Sequence, residues 1–543
     1  MNRGKWNGNF ADVIALKMKQ TSVILISILF SCVLYSQEAR SVQGAFGAVT
    51  IDGKIWNQIA LRPVIPIWKF GVALDLVLYI DQDGNIHRDE WDFSSPSAIK
   101  NTLIDKIYYV RFGYRTDPIY FRIGALDRVS LGYGILVNGY ANTVLYPQVR
   151  KVGLEWSVRN KLLSVQGFVN DFKENLGLVG LRIERPLLPG TPVGMSVVLD
   201  RNQYLGLKDR DGDGRPDLVD DFPNNKFYWV DTDGDGIADN DPLEWDIDGD
   251  GVTDTLDSRI PGWTMDTTIV LDRDIIRRDE PLNIKKSSDP VGAIALDIGF
   301  PIVVESNMSV SIYAQMAKMF GQTWDPEKKQ KVSTGLGIIP VGVATRFGPA
   351  RFNLEYRMIP WGKFEFGYWN QSYQIERASI STTGEETETN RNGNVTAIIT
   401  KESSLGRYGP LKGLYSRLSL DLGSLIMAEA AYQNLSGEIW DEKTQSFSYS
   451  PNENFYANLK LQKSISRLKT AELFYQQRNV PDLFSFEFTE STIMGYRLGL
   501  ALGSGMVLNY TYQRSFRDLN GDGDVRDADE IINLTAIETG FTF

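Results

Sequence analysis

The sequence predicts an all-β chain. Its antiparallel strands run up and down and close into a barrel of about fourteen to eighteen strands that spans a lipid bilayer, interrupted by one long acidic insert. Three observations predict this. Beyond residue 100 the chain falls into segments that alternate apolar and polar residues with a period of two. The connections between segments alternate long and short. The candidate outer faces are rich in aromatic residues, yet no stretch beyond the N-terminus is long and uniformly apolar.

At the N-terminus, Lys17 and Lys19 precede "TSVILISILFSCVLYS", an apolar run ending in small and polar residues. The pattern is that of an export signal over residues 1–36, with Met18 as an alternative start and cleavage after Ser36. The run is too short to cross a bilayer as a helix. Cys32, the only cysteine, lies inside it and is read as filler of its apolar core. A mature chain from Gln37 then has no thiol, which excludes disulfides and thiolate metal sites.

Residues 37–100 are read either as the first barrel strands or as an element plugging the lumen. "AVTIDGKIWNQIAL" predicts a hairpin turning at Asp52–Gly53. Residues 101–202 and 291–543 form the two parts of the barrel. In "RFNLEYRM", Phe352, Leu354, Tyr356 and Met358 share one face, and Arg351, Asn353, Glu355 and Arg357 the other. "MVLNYTYQ" sets Met506, Leu508, Tyr510 and Tyr512 against Val507, Asn509, Thr511 and Gln513. In a membrane barrel the first face meets lipid. The second, with Lys460 and Arg497 and with Arg111, Arg122, Arg182 and Glu184, lines the lumen. Counted back from the C-terminus, the connections at 517–530, 478–492, 436–454 and 372–412 are long. Those at Gly503–Gly505, Ser464–Arg467 and Gly423–Ser424 are short. The rhythm is expected to fail at Gly348–Pro349, read as short where a long loop falls due.

The chain ends "INLTAIETGFTF", with Phe541 and Ile537 on the face of the terminal Phe543. This resembles the C-terminal strand of bacterial outer-membrane β-barrels, although Thr539 departs from the usual apolar residue. The resemblance covers roughly residues 100–543 apart from the insert. It implies a bacterial outer-membrane location, contact with membrane lipid, and recognition of the last strand by the barrel assembly machinery. The loop before that strand, and by its length the insert, would then face outward.

The insert, residues 203–290, carries the chain's charge. From Lys208 to Arg259, sixteen Asp and one Glu face five Lys or Arg, a net of −12 against −11 for the whole chain. The spacing is regular. Asp209, Asp211, Asp213, Asp217 and Asp220 occupy positions 1, 3, 5, 9 and 12 of a loop with Gly214 at position 6. Asp246, Asp248, Asp250, Asp254 and Asp257 repeat this around Gly251. Asp231, Asp233, Asp235 and Asp239 repeat the first four around Gly236, but Pro242 stands at position 12. A separate copy comprises Asp518, Asn520, Asp522 and Asp529, with Gly523 at position 6. Ca²⁺ takes six to eight hard oxygens, and a glycine at position 6 lets the chain turn sharply enough for them to converge. Bound Ca²⁺ would also cancel the repulsion among the carboxylates. The first three loops resemble thrombospondin type 3 repeats, and the fourth resembles an isolated EF-hand-type loop. Both resemblances imply Ca²⁺ as the bound ion.

Outside the insert the charge is close to balanced, so nothing suggests nucleic acid as a partner. His87 is the only histidine and sits in a charged, turn-rich stretch with no motif of a hydrolase around it. No phosphate-cradling glycine loop is present. The chain is therefore not expected to be an enzyme. Porin- or transporter-like passage of small polar solutes is the leading expectation. The alternative is a structural or adhesive surface protein that binds its ligand through the calcium loops and uses a closed barrel as an anchor.

Overall fold

The first and last strands of the wall pair with each other, and this closes the sheet. In the computed structural model Ser41–Ile51 lies antiparallel to Ile531–Thr542, with Gln43 opposite Thr542 and Val49 opposite Ala536. The structure describes residues 41–543 except 52–53, 88–90, 147–148, 189, 258, 261–272, 382–386, 390–394, 424, 442, 486, 504, 521–522 and 543. The export signal with Lys17, Lys19 and Cys32, the turn residues Asp52 and Gly53, the proposed ligand Asp522 and the terminal Phe543 lie outside the described residues.

Every strand pairs antiparallel with its neighbour in sequence along the wall, an up-and-down meander. Phe70–Leu74 and Leu76–Ile80 both pair with Lys54–Ile67 and act as one strand interrupted at Asp75. The closed barrel therefore has twenty strands, more than the fourteen to eighteen expected. The shortfall arose mainly before residue 200. There the strands Ile107–Phe112, Ile119–Gly124, Gly153–Arg159 and Ser164–Val169 are only six or seven residues long and give weak periodic signals.

The strands within residues 41–80 belong to the wall, as the first of the two readings of the N-terminal segment expects, and not to a plug. Ile51 opposes Lys54 across the predicted two-residue turn. Only 81–106 leaves the wall there. It carries the helix Pro96–Asp105, capped by the Ser95 side chain, with proline in its first turn. That pair is a helix-start signal which the strand-based reading passed over.

The two ends of the barrel differ. Turns at 68–69, 305–307, 348–349, 462–467 and 504–505 lie at one end, together with both termini of the closing pair. The connections 81–106, 125–152, 201–290, 360–407, 481–492 and 517–530 lie at the other. Gly348–Pro349 therefore falls in phase, as a short turn at the short-turn end. The long loop expected at 436–454 is absent. Its residues extend the paired strands Ile426–Asp441 and Ser446–Leu461, leaving a four-residue connection.

Which face meets lipid follows from exposure. Leu296 is 47% and Met316 45% exposed, while their neighbours Asp297 and Gln315 are 5% and 3% exposed and point inward. Phe352, Leu354 and Leu498 likewise face out, and Glu355, Arg357 and Gln513 face in. Exposed Trp68 and Phe347 sit at the short-turn end, and Trp361, Tyr449 and Phe484 at the other. Aromatic residues at both rims of an apolar band are the outer surface of a bilayer-spanning barrel. Among the described residues no helix is long and apolar enough to cross a membrane.

Candidate functional site: the lumen and the acidic loops

Two long connections fold back into the barrel instead of outward. Residues 125–152 form a hairpin-like turn in which Val129 pairs with Tyr140. Residues 360–377 meet it: Val137 bridges Trp369 in parallel, and Gly367 and Trp369 donate to the carbonyls of Ile135 and Leu136 at 2.9 and 3.1 Å. Leu126, Ile135, Val137, Tyr140, Phe366 and Trp369 are all at most 3% exposed. They pack against wall residues that are apolar although they face inward, among them Val198, Ala293, Ala295, Met319 and Ile339. Gly337 makes room for this core, since a Cβ there would stand 2.1 Å from the Phe364 ring. The long-loop half of the lumen therefore holds a hydrophobic core of its own.

Buried ions pin that core to the wall. Arg377 is fully buried and donates to Asp200 from Nε (2.7 Å) and Nη2 (2.8 Å) and to Glu174 from Nη1 (2.8 Å). The Tyr373 hydroxyl also donates to Asp200, at 2.8 Å. Lys401 bridges Glu365 and Glu376, and Arg478 reaches Glu365 at 2.7 Å. Glu402 is 1% exposed, and its Oε1 has no hydrogen-bond partner. Burial pushes its carboxyl up to about 9, with the charge of Asp289 adding to the effect. Its neutral form is thus favoured by folding. Stability is full below the ordinary carboxylate range and falls as pH rises through that range toward 9. Each pH unit in the window removes up to about 1.4 kcal/mol. Glu402→Gln is expected to flatten the decline in thermal midpoint between about pH 5 and 8. Parallel wild-type and variant curves would contradict the assignment.

Toward the short-turn end the lumen stays polar. A cavity of about 710 Å³ is lined by residues of the first, last and adjoining strands and by the 125–152 segment. Its charges are paired across the space. Arg62 bonds Asp75 and Glu538, both at 2.9 Å; Arg150 and the Tyr146 hydroxyl also reach Asp75, at 3.2 and 2.6 Å; and Arg497 reaches Glu472 at 3.0 Å. A smaller recess of about 70 Å³ adjoins it and shares Arg128, Gln371 and Tyr456 with the cavity. Four arginines line the recess: Arg128, Arg357, Arg417 and Arg478. Arg357 lies over the Tyr415 ring at 3.7 Å and bonds Glu355 at 2.7 Å. Arg128 and Arg417 share the single carboxylate of Glu429, so the recess carries an excess of positive charge. Of the lining residues named from the sequence, Arg357, Lys460, Arg497, Thr511 and Gln513 border these spaces. Arg182 and Glu184 instead form a wall network with Asp297. His87 packs edge-on against Trp56, its ring 4.7 Å away.

The acidic loops occupy the connection between Thr191–Asp200 and Val291–Val304, at the long-loop end. In each of three loops the first three carboxylates converge: Asp209, Asp211 and Asp213; Asp231, Asp233 and Asp235; and Asp246, Asp248 and Asp250. Each set offers oxygens within 4.8 Å of one another. Gly214, Gly236 and Gly251 take positive φ at +104°, +96° and +87° and donate to the position-1 carboxylates at 2.9, 3.0 and 2.9 Å. The position-9 carboxylates Asp217, Asp239 and Asp254 accept from the position-2 amides of Arg210, Thr232 and Ile247 at 2.8, 2.8 and 3.1 Å.

The loops close differently. In the first, Asp220 is 7% exposed with Oδ2 unpartnered; burial pushes its carboxyl up to about 7, with Asp213, Asp211 and Asp221 adding. In the second, Pro242 stands at position 12, and Glu244, two residues further on, is buried. Burial raises its carboxyl, and the charges of Asp235 and Asp233 add to the shift. The spacing did not name Glu244 because it lies beyond position 12. In the third, Arg259 Nη2 contacts Asp248, Asp250 and Asp257 at 2.7, 2.6 and 2.6 Å, a cation set among the carboxylates. In the fourth, Asp518 accepts from Gly523 at 2.8 Å, but Asp529 is exposed.

No family model and no curated protein matches the chain. Solved structures that resemble it include the outer membrane protein OprD from Pseudomonas aeruginosa, at 8% identity and a TM-score of 0.31, covering 93% of this chain and 92% of that one. OpdK from the same organism, solved with vanillate, matches at 8% identity and 0.32, covering 93% and 97%. CdiB from Acinetobacter baumannii matches at 6% and 0.24, covering 94% and 61%.

Proposed function

We propose that the chain is a bacterial outer-membrane channel for small polar solutes, with surface loops braced by Ca²⁺. The observation that carries this reading is a pair of adjacent polar spaces: the 710 Å³ cavity and the arginine-lined recess share Arg128, Gln371 and Tyr456 inside a closed barrel whose outside is apolar. A lane lined by paired charges lets a polar solute exchange its hydration for side-chain hydrogen bonds, and the apolar core narrows the lane and makes it selective. The test is conductance in planar bilayers. Discrete steps with weak anion preference are expected, and Glu429→Gln, which uncovers Arg128 and Arg417, should strengthen that preference. A barrel that never conducts, in wild type or with the inward segments loosened, overturns the reading.

Calcium fits the donor set, since Asp211 Oδ2, Asp220 Oδ2, Asp246 Oδ1 and Asp248 Oδ1 are buried without hydrogen-bond partners. Asp209, Asp211, Asp213, Asp217 and Asp220 would hold one ion. Asp231, Asp233, Asp235, Asp239 and Glu244 would hold a second, and Asp246, Asp248, Asp250, Asp254 and Asp257 a third, in place of the Arg259 guanidinium that contacts three of them. The ion supplies charge neutralisation and fixes the loop geometry.

A second reading has one observation in its favour. Phe227, Leu243 and Trp245 on the insert are 65%, 71% and 66% exposed, as an adhesive surface would require. Calcium-dependent attachment to cells or polysaccharide by a non-conducting barrel would establish it in place of the channel.

A further inference from the structure

The loop 517–530 joins the strands Met506–Phe516 and Ile531–Thr542. Its first-to-sixth hydrogen bond, Gly523 to Asp518 at 2.8 Å, is the one found in the three insert loops, and Gly523 has φ +83°. It lacks a carboxylate at position 9, where Arg526 turns toward Asp524 at 2.7 Å. The spacing names Asp529 as the closing ligand, but Asp529 faces solvent. The next residue behaves as a ligand should. Glu530 is 1% exposed. Its Oε1 accepts from the amides of Leu519 and Asn520 at 3.0 and 3.3 Å, so the carboxyl lies against the loop. Its Oε2 is buried and has no hydrogen-bond partner. An acceptor buried without a donor is destabilising, the more so when charged, and a cation removes that cost.

We infer that Glu530 closes a calcium site in this loop together with Asp518 and Asn520. The site adjoins the part of the chain that narrows the lumen. The neighbouring Arg517 donates to the carbonyls of Gly206 and Ile375 at 3.2 and 3.4 Å, which ties the loop to the start of the insert and to the inward-folded segment. The Asp518 amide donates to Glu490 at 3.0 Å, and Glu490 also accepts from Ser379. A cation at Asp518 and Glu530 therefore braces the contacts that hold the 360–377 segment in the barrel. This consequence for passage rests on the channel reading; the site itself does not.

Calcium bound per chain, measured on the full-length protein in detergent by calorimetry and by metal analysis, tests the inference. Glu530→Gln is expected to bind one calcium fewer than wild type, and Asp529→Asn the same number as wild type. Asn520→Ala changes an exposed side chain and so cannot fail through misfolding of a core; it should weaken the same site by about tenfold or more. Failure of the insert loops to bind would lower the total in every protein but leave the difference between wild type and Glu530→Gln unchanged. Full calcium content in both Glu530→Gln and Asn520→Ala, or loss of an ion in Asp529→Asn, overturns the inference.

Discussion

Replacing Arg377 by methionine is expected to widen the passage through the lumen and to lower the thermal midpoint of the barrel. The guanidinium is fully buried and bonds Asp200 twice and Glu174 once. Glu174 keeps Lys151 and Asn170 as partners, but Asp200, itself 0% exposed, retains only the Tyr373 hydroxyl among its side-chain donors. Removing one member of a buried pair costs about 3–5 kcal/mol, because the other charge stays out of water. At about 1.4 kcal/mol per tenfold, that raises the population in which the 360–377 segment has left the lumen by about two to four orders of magnitude. Larger and noisier conductance steps should accompany the lower midpoint. The double change Arg377→Met with Asp200→Asn removes the stranded charge and should recover most of both properties. A single variant indistinguishable from wild type in midpoint and conductance would show that this network does not hold the inward-folded segment in place.

Removing calcium is expected to unfold the insert and leave the barrel standing. Residues 201–290 own little apolar core among their described residues, while their carboxylates converge to within 4.8 Å in three places. Without ions these charges repel, and the segment has little hydrophobic burial to oppose them. With free calcium at ten times the dissociation constant, each site adds about 1.4 kcal/mol, so three sites add about 4 kcal/mol. Proteolysis through local opening should then accelerate by about a thousandfold on chelation. Trypsin cleavage after Arg215, which is 8% exposed, reports it. The barrel is held by main-chain pairing around its whole circumference and should keep its strand signal in circular dichroism. Equal cleavage rates with and without a calcium chelator would remove the ion from the account.

The sequence by itself determined the faces of the strands and the turns of the acidic loops. Phe352, Leu354 and Tyr356 alternate with Asn353, Glu355 and Arg357 because side chains of a strand point to opposite sides, and that rule needs no distant contact. The glycines at position 6 are equally local: only a residue tolerant of positive φ lets the position-1 carboxylate accept from it. The tertiary structure alone decided the contents of the lumen. "VGAIALDIGF" is apolar on both faces from Val291 to Leu296, a sign that something covers the inner face, but no local rule names segments 125–152 and 360–377 as the cover. It also decided which acids are buried beside the loops. Glu244 is buried although Pro242 holds position 12, and Glu530 turns inward where Asp529 does not, because burial and the surrounding donors, not sequence spacing, set where a carboxylate points. Local periodicity is written residue by residue, whereas the lumen is filled by pieces of chain more than two hundred residues apart, and their meeting depends on a barrel that must first close around them.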